Sequence, residues 1–313
     1  MPDILAIVVT YGKRKEKVLP VVKRALEETD FVVVVENAIE WEGVEEYVSS
    51  PNLKVIKTTK NLGSAGGFKL GLEFAVSNVP EGYVVLLDDD NILKRGVVKH
   101  LLKRYAWLLD DRTVIQIARL HRHNAVFLKR YIVKALFGYY DTDMIVDVKN
   151  IVVKMLKVLK ILDRDKEVAR LYPYVEKFLE ETKLILPVSA SFYPPWGGKL
   201  FNIKVVKRNG FPDERMFLYG DDTEWNLRLK EKGGRFFVTG FEGIVDLEDS
   251  RKFKSFAEDR FEFFRERNLA YLIFKYFNTL PEVLVYNLKT IIRSGLDFKR
   301  ILEIIRAVKS LLE

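Results

Sequence analysis

Three consecutive carboxylates, Asp88-Asp89-Asp90, follow directly on the apolar run Val84-Val85-Leu86-Leu87. Adjacent acids repel one another and are costly to hold beside an apolar core, so a neighbouring positive charge is expected. A divalent cation that prefers oxygen ligands, shared with a phosphate-bearing molecule, meets that need. An acidic turn in water is the plain alternative. A second acidic pair, Asp221-Asp222, follows Phe217-Leu218-Tyr219-Gly220 and precedes a helix-like stretch. One acid there can cap the helix and oppose its dipole. A second leaves a carboxylate available for proton transfer.

The composition removes several chemistries. With no cysteine, disulfides, thiolate metal sites and thiol nucleophiles are excluded. Three histidines, at 100, 121 and 123, argue against a histidine-rich zinc site. Hydrophobic residues make up 48% and charged residues 31% of 313, as in a soluble globular chain with a sizeable core. No apolar stretch approaches a membrane span. The first residues read as a strand, not a signal peptide, so a cytoplasmic setting is expected. The net charge of +8 suits nucleic acid, an anionic membrane or phosphorylated substrates.

The elements that must position the acids follow from periodicity. Ile4 to Tyr11, Phe31 to Val35, Leu53 to Ile56 and Tyr83 to Leu87 are continuous apolar runs of strand length, the form taken by strands buried on both faces. A helical pattern through Val18, Val22 and Leu26 separates the first two, which predicts a parallel α/β sheet with right-handed crossovers. Ligands bind such sheets at the carboxyl ends of the strands, where Asp88 stands. The segment Asn61-Leu62-Gly63-Ser64-Ala65-Gly66-Gly67-Phe68 opens a helix whose N–H groups could face an anion, although it fits neither a P-loop nor GxGxxG. Helix is expected from Gly96 to Leu109 and strand at Val114–Ala118. From about 121 to 190 the pattern turns basic and helix-like, an expected insertion over the site. Its Ile151–Leu162 segment spaces lysines every third residue, as in a membrane-surface or packing helix. Trp196 lies in a Pro/Gly-rich loop, where an aromatic serves either as a wall for a planar or sugar ring or as a buried structural residue. Short strands are expected at Phe236–Thr239 and Gly243–Val245. Residues 251–313 are expected to be a helical tail, carrying 13 basic and 8 acidic residues.

Taken in order, strand-Thr10-Tyr11, strand-Glu36-Asn37, Asn61-x-Gly63-x-Ala65-Gly66-Gly67, Asp88-Asp89-Asp90, Trp196-Gly197, Tyr219-Gly220-Asp221-Asp222 and Arg267-Asn268 resemble the signatures of family 2 glycosyltransferases. The likeness is strongest to the rhamnosyl- and galactofuranosyltransferase branch and covers roughly residues 4–118 and 192–275. The resemblance implies a GT-A fold: an α/β, Rossmann-like, mostly parallel sheet flanked by helices, with a helical insertion and a C-terminal helical extension. It divides the chain into a catalytic domain over 1–250 and a helical region over 251–313.

It also implies inverting transfer from a nucleoside-diphosphate sugar to an acceptor hydroxyl on a glycan or lipid-linked glycan. Thr10, Tyr11, Glu36, Asn61, Gly66, Asp88 and Asp89 would bind the nucleotide sugar. Asp88 and Asp90 would hold a divalent cation, Mn2+ or Mg2+. Asp222 would be the general base with Asp221 beside it, and Trp196, Trp225 and Arg228 would border the acceptor.

Two departures stand out. Glu36 replaces the family's usual Asp, and no histidine follows residue 123 to complete the metal site, which leaves Asp246, Glu248 or Asp249 as substitutes. Peripheral membrane contact is compatible with a lipid-linked acceptor. Nothing resembles a base-reading motif, so no nucleic-acid partner is expected. The competing readings are a sugar nucleotidyltransferase and a non-catalytic basic protein of membranes or nucleic acid.

Overall fold

The protein is described by a computed structural model covering residues 3–79, 81–119, 177–187, 193–247, 258–277 and 298–312. The lysine-spaced segment 151–162, most of the expected insertion, Glu248 and Asp249 lie outside the described residues.

Four parallel strands form one half of the sheet: β1 (Ile4–Gly12), β2 (Phe31–Ile39), β3 (Leu53–Thr58) and β4 (Tyr83–Asp88), in the order β3-β2-β1-β4. Helices α1 (Lys15–Glu28) and α2 (Gly63–Asn78) connect them. Alternate residues of the apolar runs pack on opposite sides. Ala6, Val8, Val32, Val34, Val85 and Leu87 meet α1 and α3 (Val97–Tyr105). Leu5, Ile7, Val33, Val35, Val84 and Leu86 meet Phe68 and Leu72 of α2. The period of two divides the apolar residues of β1, β2 and β4 between two cores, which is why those runs are unbroken rather than alternating.

Register sets the position of the polar ends. Thr10 pairs with Glu36 and Tyr11 with Asn37, while Val9 pairs with Asp88. The three carboxyl ends therefore form one rim. Helix α2 reaches the sheet closely because Gly67 and Gly71 have no side chain; a Cβ would stand 2.5 Å from Val9 Cγ1 and 2.3 Å from Ile7 Cγ2 respectively.

Beyond β4 the sheet becomes mixed. Strand β8 (Lys199–Asn202) runs antiparallel to β4 and to β6 (Thr113–Arg119), and β6 lies parallel to β9 (Arg235–Asp246). Short strands β5 (Asn91–Leu93) and β7 (Ile185–Pro187) both pair with β9. The two short strands expected around Phe236 and Gly243 are one continuous strand, since parallel pairing with β6 carries through Thr239–Glu242 with register shifts. Helices α4 (Lys204–Asn209), α5 (Asp221–Glu231), α6 (Glu258–Leu272) and α7 (Phe298–Leu312) complete the described α-helices. Ala270, Tyr271 and Leu272 of α6 pack with Ile304, Val308 and Leu311 of α7 and with Met216 and Leu227, so the C-terminal helices join the core beside α5. No helix among the described residues is long and apolar enough to cross a membrane.

Candidate active site

The acidic triplet is three residues in three roles. Asp89 turns inward: Thr10 Oγ1 donates to its Oδ2 at 2.9 Å and Arg14 Nε donates to the same oxygen at 2.6 Å. Burial pushes the Asp89 carboxyl up to about 6 against the pull of Arg14. Asp89 and Thr10 thus brace β4 against β1, and their bonds to each other are already made. Asp88 keeps 37% of its side-chain surface open; desolvation raises its pKa, Asp222 and Asp246 act in the same sense, and Arg119 opposes them.

Asp90 and Asp246 meet through Asn91, whose Nδ2 donates to Asp90 Oδ1 at 2.9 Å and Asp246 Oδ1 at 2.7 Å. The pairing of Asn91 with Asp246 across β5 and β9 imposes this meeting. Arg119 Nη1 lies 3.4 Å from Asp88 Oδ2 and 3.7 Å from Asp246 Oδ1. The guanidinium therefore stands where a cation shared by those two acids would sit. The donors are hard carboxylate oxygens, which suit Mg2+ or Mn2+. Among the described residues no three Asp, Glu or His side chains form a ready-made metal cage. The set fits an ion that takes its remaining ligands from a substrate phosphate and water.

The second acidic pair opens α5. Asp221 is buried, and its Oδ2 accepts from Ser64 Oγ at 2.6 Å and from Trp196 Nε1 at 2.7 Å. Burial, and next the charge of Asp222, push its carboxyl up to about 7. Asp222 is half-buried; its Oδ1 accepts from Thr223 N at 2.6 Å, and its Oδ2 makes no hydrogen bond among the described residues. One dipeptide joins the two acidic sets. Trp196 bonds Asp221, and at the next residue an added Cβ on Gly197 would stand 2.4 Å from Asp88 Oδ2 and 2.0 Å from Asn91 Oδ1. Asp222 and Asp88 also act on one another electrostatically.

Several expected roles change. Trp225 is fully buried, with its Nε1 donating to Gly210 O at 3.0 Å, so it has no face to offer an acceptor. Arg228 is occupied by Glu224 and by the carbonyls of Asn209 and Phe211 at 2.7 and 2.9 Å, and braces α5 against the preceding loop. Trp196 packs between Phe68 and Trp225 and orients Asp221 instead of forming an open wall. The start of α2 is not an anion cradle at three of its amides: Gly63 N donates to Asn61 Oδ1, Ala65 N to Phe217 O and Gly66 N to Leu62 O. Asn61 and Gly66 therefore shape the loop. Asn37, which bonds Asn61, Gly63 and Leu62, holds that loop to β2. Glu36 is buried, accepting from Val44 N at 2.5 Å, while its Oε2 has no hydrogen-bond partner and faces Lys57 Nζ at 4.0 Å. Tyr11 remains exposed at the rim.

Sequence reasoning missed Arg14, Arg119 and Lys199. Lys199 is fully buried, its Nζ has no hydrogen-bond partner, and it lies 4.0 Å from the Trp196 ring centre and 5.0 Å from that of Trp225. Burial lowers its pKa to about 7, while Asp222, Asp221 and Asp88 act in the opposite sense. The available signal was a lysine entering the otherwise apolar start of β8.

Residues 6–151 match the model of glycosyl transferase family 2. No curated protein matches the sequence. Among solved structures the fold is similar to S. aureus TarS, at TM-score 0.50 and 14% identity over 88% of this chain and 40% of that one. It is also similar to S. aureus TarS 1-349 in complex with UDP-GlcNAc (TM-score 0.55, 15% identity, 97% and 79% covered). GalNAc-T7 with UDP, GalNAc and Mn2+ gives TM-score 0.52 at 11% identity, over 87% of this chain and 47% of the other. The chain spans less than half the length of the first and last of these. The fold is that of GT-A glycosyltransferase structures. The sequence match to glycosyl transferase family 2 lies over residues 6–151, the part of the chain that holds Asp88, Asp89 and Asp90.

Proposed function

We propose that this chain transfers a sugar, with inversion, from a nucleoside-diphosphate sugar to an acceptor hydroxyl, with Asp222 as general base and a divalent cation on the donor diphosphate. The observation that carries the reading is the convergence of Asp88 and Asp222 on one cleft, linked through Trp196 and Gly197. TarS 1-349 bound to UDP-GlcNAc and GalNAc-T7 bound to UDP and Mn2+ support a uridine nucleotide and a divalent ion.

In this reading the acceptor oxygen forms a bond to the anomeric carbon from the face opposite the diphosphate. The carbon–oxygen bond to the diphosphate breaks and its electron pair leaves with the nucleotide. The acceptor proton passes to Asp222 Oδ2, and such positioned base catalysis contributes about 10²–10⁴-fold. Burial, and next the charge of Asp222, raise the Asp221 carboxyl to about 7, so Asp221 holds its proton more tightly than an exposed acid does. Arg14 and Arg119 oppose the charge of the acids at the diphosphate end. Asp88, Asp90 and Asp246 would hold the cation, which when bound neutralises charge on the departing diphosphate. Tyr11 at the rim borders the base. The motif from Asn61 to Phe68 favours the rhamnosyl- or galactofuranosyltransferase branch for the sugar, and a glycan or lipid-linked glycan as acceptor.

Calorimetric titration with UDP, with and without Mn2+ or Mg2+, tests the reading. Binding is expected to tighten at least tenfold with the ion (about 1.4 kcal/mol). Absence of UDP binding under both conditions would reject it.

A further inference from the structure

The loop that delivers the catalytic pair is strained. Phe217, Tyr219 and Gly220 all have left-handed φ, at 63°, 63° and 81°, and two of the three carry side chains. Such backbone persists only where its surroundings enforce it. Asn268, on α6, is fully buried, and its Nδ2 lies 2.7 Å from Met216 O, 2.9 Å from Leu218 O and 2.7 Å from Tyr219 O.

The amide cannot be reversed. Three carbonyls face its nitrogen, while Arg267 donates Nε and Nη2 to its oxygen at 2.9 and 2.7 Å. Arg267 Nη2 also reaches Arg215 O at 2.8 Å and Met216 O at 3.0 Å. Phe264, one turn earlier, stacks on Phe217 at 4.7 Å between ring centres. One face of α6 thus grips every residue from Arg215 to Tyr219 through backbone or ring. At the far end, Ser64 and Trp196 fix Asp221.

We propose that Asn268 is a positioning residue for the base. By bonding the carbonyls before Gly220 it holds the left-handed loop that aims Asp222 into the cleft, so α6 is a working part of the active site. The proposal rests on the reading of Asp222 as base, and its test separates the two.

The full chain with Asn268→Asp, which is isosteric but sets an oxygen against three carbonyls, is compared with Asn268→Ala and wild type. Three quantities are measured: amide hydrogen exchange, UDP affinity with Mn2+, and UDP release from UDP-sugars. Exchange over residues 216–223 is expected to accelerate about tenfold or more, with β1 and β4 unchanged. UDP affinity stays within twofold of wild type, whereas turnover falls about 10²-fold, the cost of misplacing a reacting group by about 1 Å. Arg267→Gln, which frees the amide oxygen but leaves the donors, gives an intermediate acceleration and guards against a variant at 268 that does not fold.

Unchanged exchange over 216–223 overturns the proposal, as does a uniform rise across the chain with joint loss of UDP binding. If the 268 variants do not fold and Arg267→Gln exchanges like wild type, the residue is merely structural and the proposal fails. A wild-type chain that binds no UDP refutes the transferase reading, and the exchange data still decide the role of Asn268.

Discussion

Gly197→Ala is a one-carbon perturbation aimed at the junction of the two acidic sets. The backbone at 197 does not have left-handed φ, so alanine is acceptable there in isolation. The added carbon would stand 2.0 Å from Asn91 Oδ1, 2.4 Å from Asp88 Oδ2 and 2.9 Å from Asp88 Cγ. Ordinary non-bonded contact begins near ~3.5 Å, so the two side chains must retreat by about 1–1.5 Å. Asn91 cannot do so and keep its 2.9 and 2.7 Å bonds to Asp90 and Asp246. Overpacking of this kind costs about 1–3 kcal/mol, a fall in Tm of roughly 2–10 °C for a chain of this size. Displacement of a binding group by about 1 Å costs about 10²-fold in rate. Calorimetry with UDP and Mn2+, beside a thermal melt, is expected to show affinity reduced tenfold or more in a protein that still melts cooperatively. Gly96→Ala is the control: its φ is 71°, but nothing lies within 4 Å of the new carbon. It should lower Tm by backbone strain and leave UDP affinity intact. A folded Gly197→Ala protein that binds UDP and Mn2+ like wild type refutes the reasoning, because Asp88 and Asn91 would then not be at the nucleotide site.

Two further substitutions read the base and the buried cation. Asp222→Asn should bind UDP within about twofold of wild type while turnover falls by about 10²-fold or more; undiminished turnover removes Asp222 as base. Lys199→Met removes an ammonium whose pKa burial lowers to about 7 from 10.5. Between those values the unfolded chain binds more protons than the folded one, so wild-type stability rises with pH across that window. The methionine protein should therefore be the more stable at pH 7 and below, by up to about 5 kcal/mol, with the difference fading toward pH 10.5. Urea melts at pH 6.5 and pH 10 measure both; equal differences at the two values count against a strained buried lysine.

Local sequence was a sound guide wherever a feature depends on neighbours along the chain. The apolar runs of β1, β2 and β4 disclosed strands buried on both faces, and the acids disclosed where those strands leave the sheet. The helix starts at Gly63 and Asp221 were equally plain from a glycine-rich turn and a paired acidic cap. The ordered motifs resembled family 2 glycosyltransferases, in agreement with the family match and the fold.

What only the tertiary structure decided is which side chains face one another across long stretches of chain. Trp225 and Arg228 share a helix with Asp222, but helical rotation and the packing of α5 turn them toward the core and the 209–211 loop. Asn91 finds Asp246, Asp88 finds Arg119, and Asn268 finds the loop before Gly220, across separations no local pattern encodes. Strand pairing and helix docking select those partners. A residue's type and period state which groups it can bond and which face it takes, while the partner itself is set by the register in which distant elements pack.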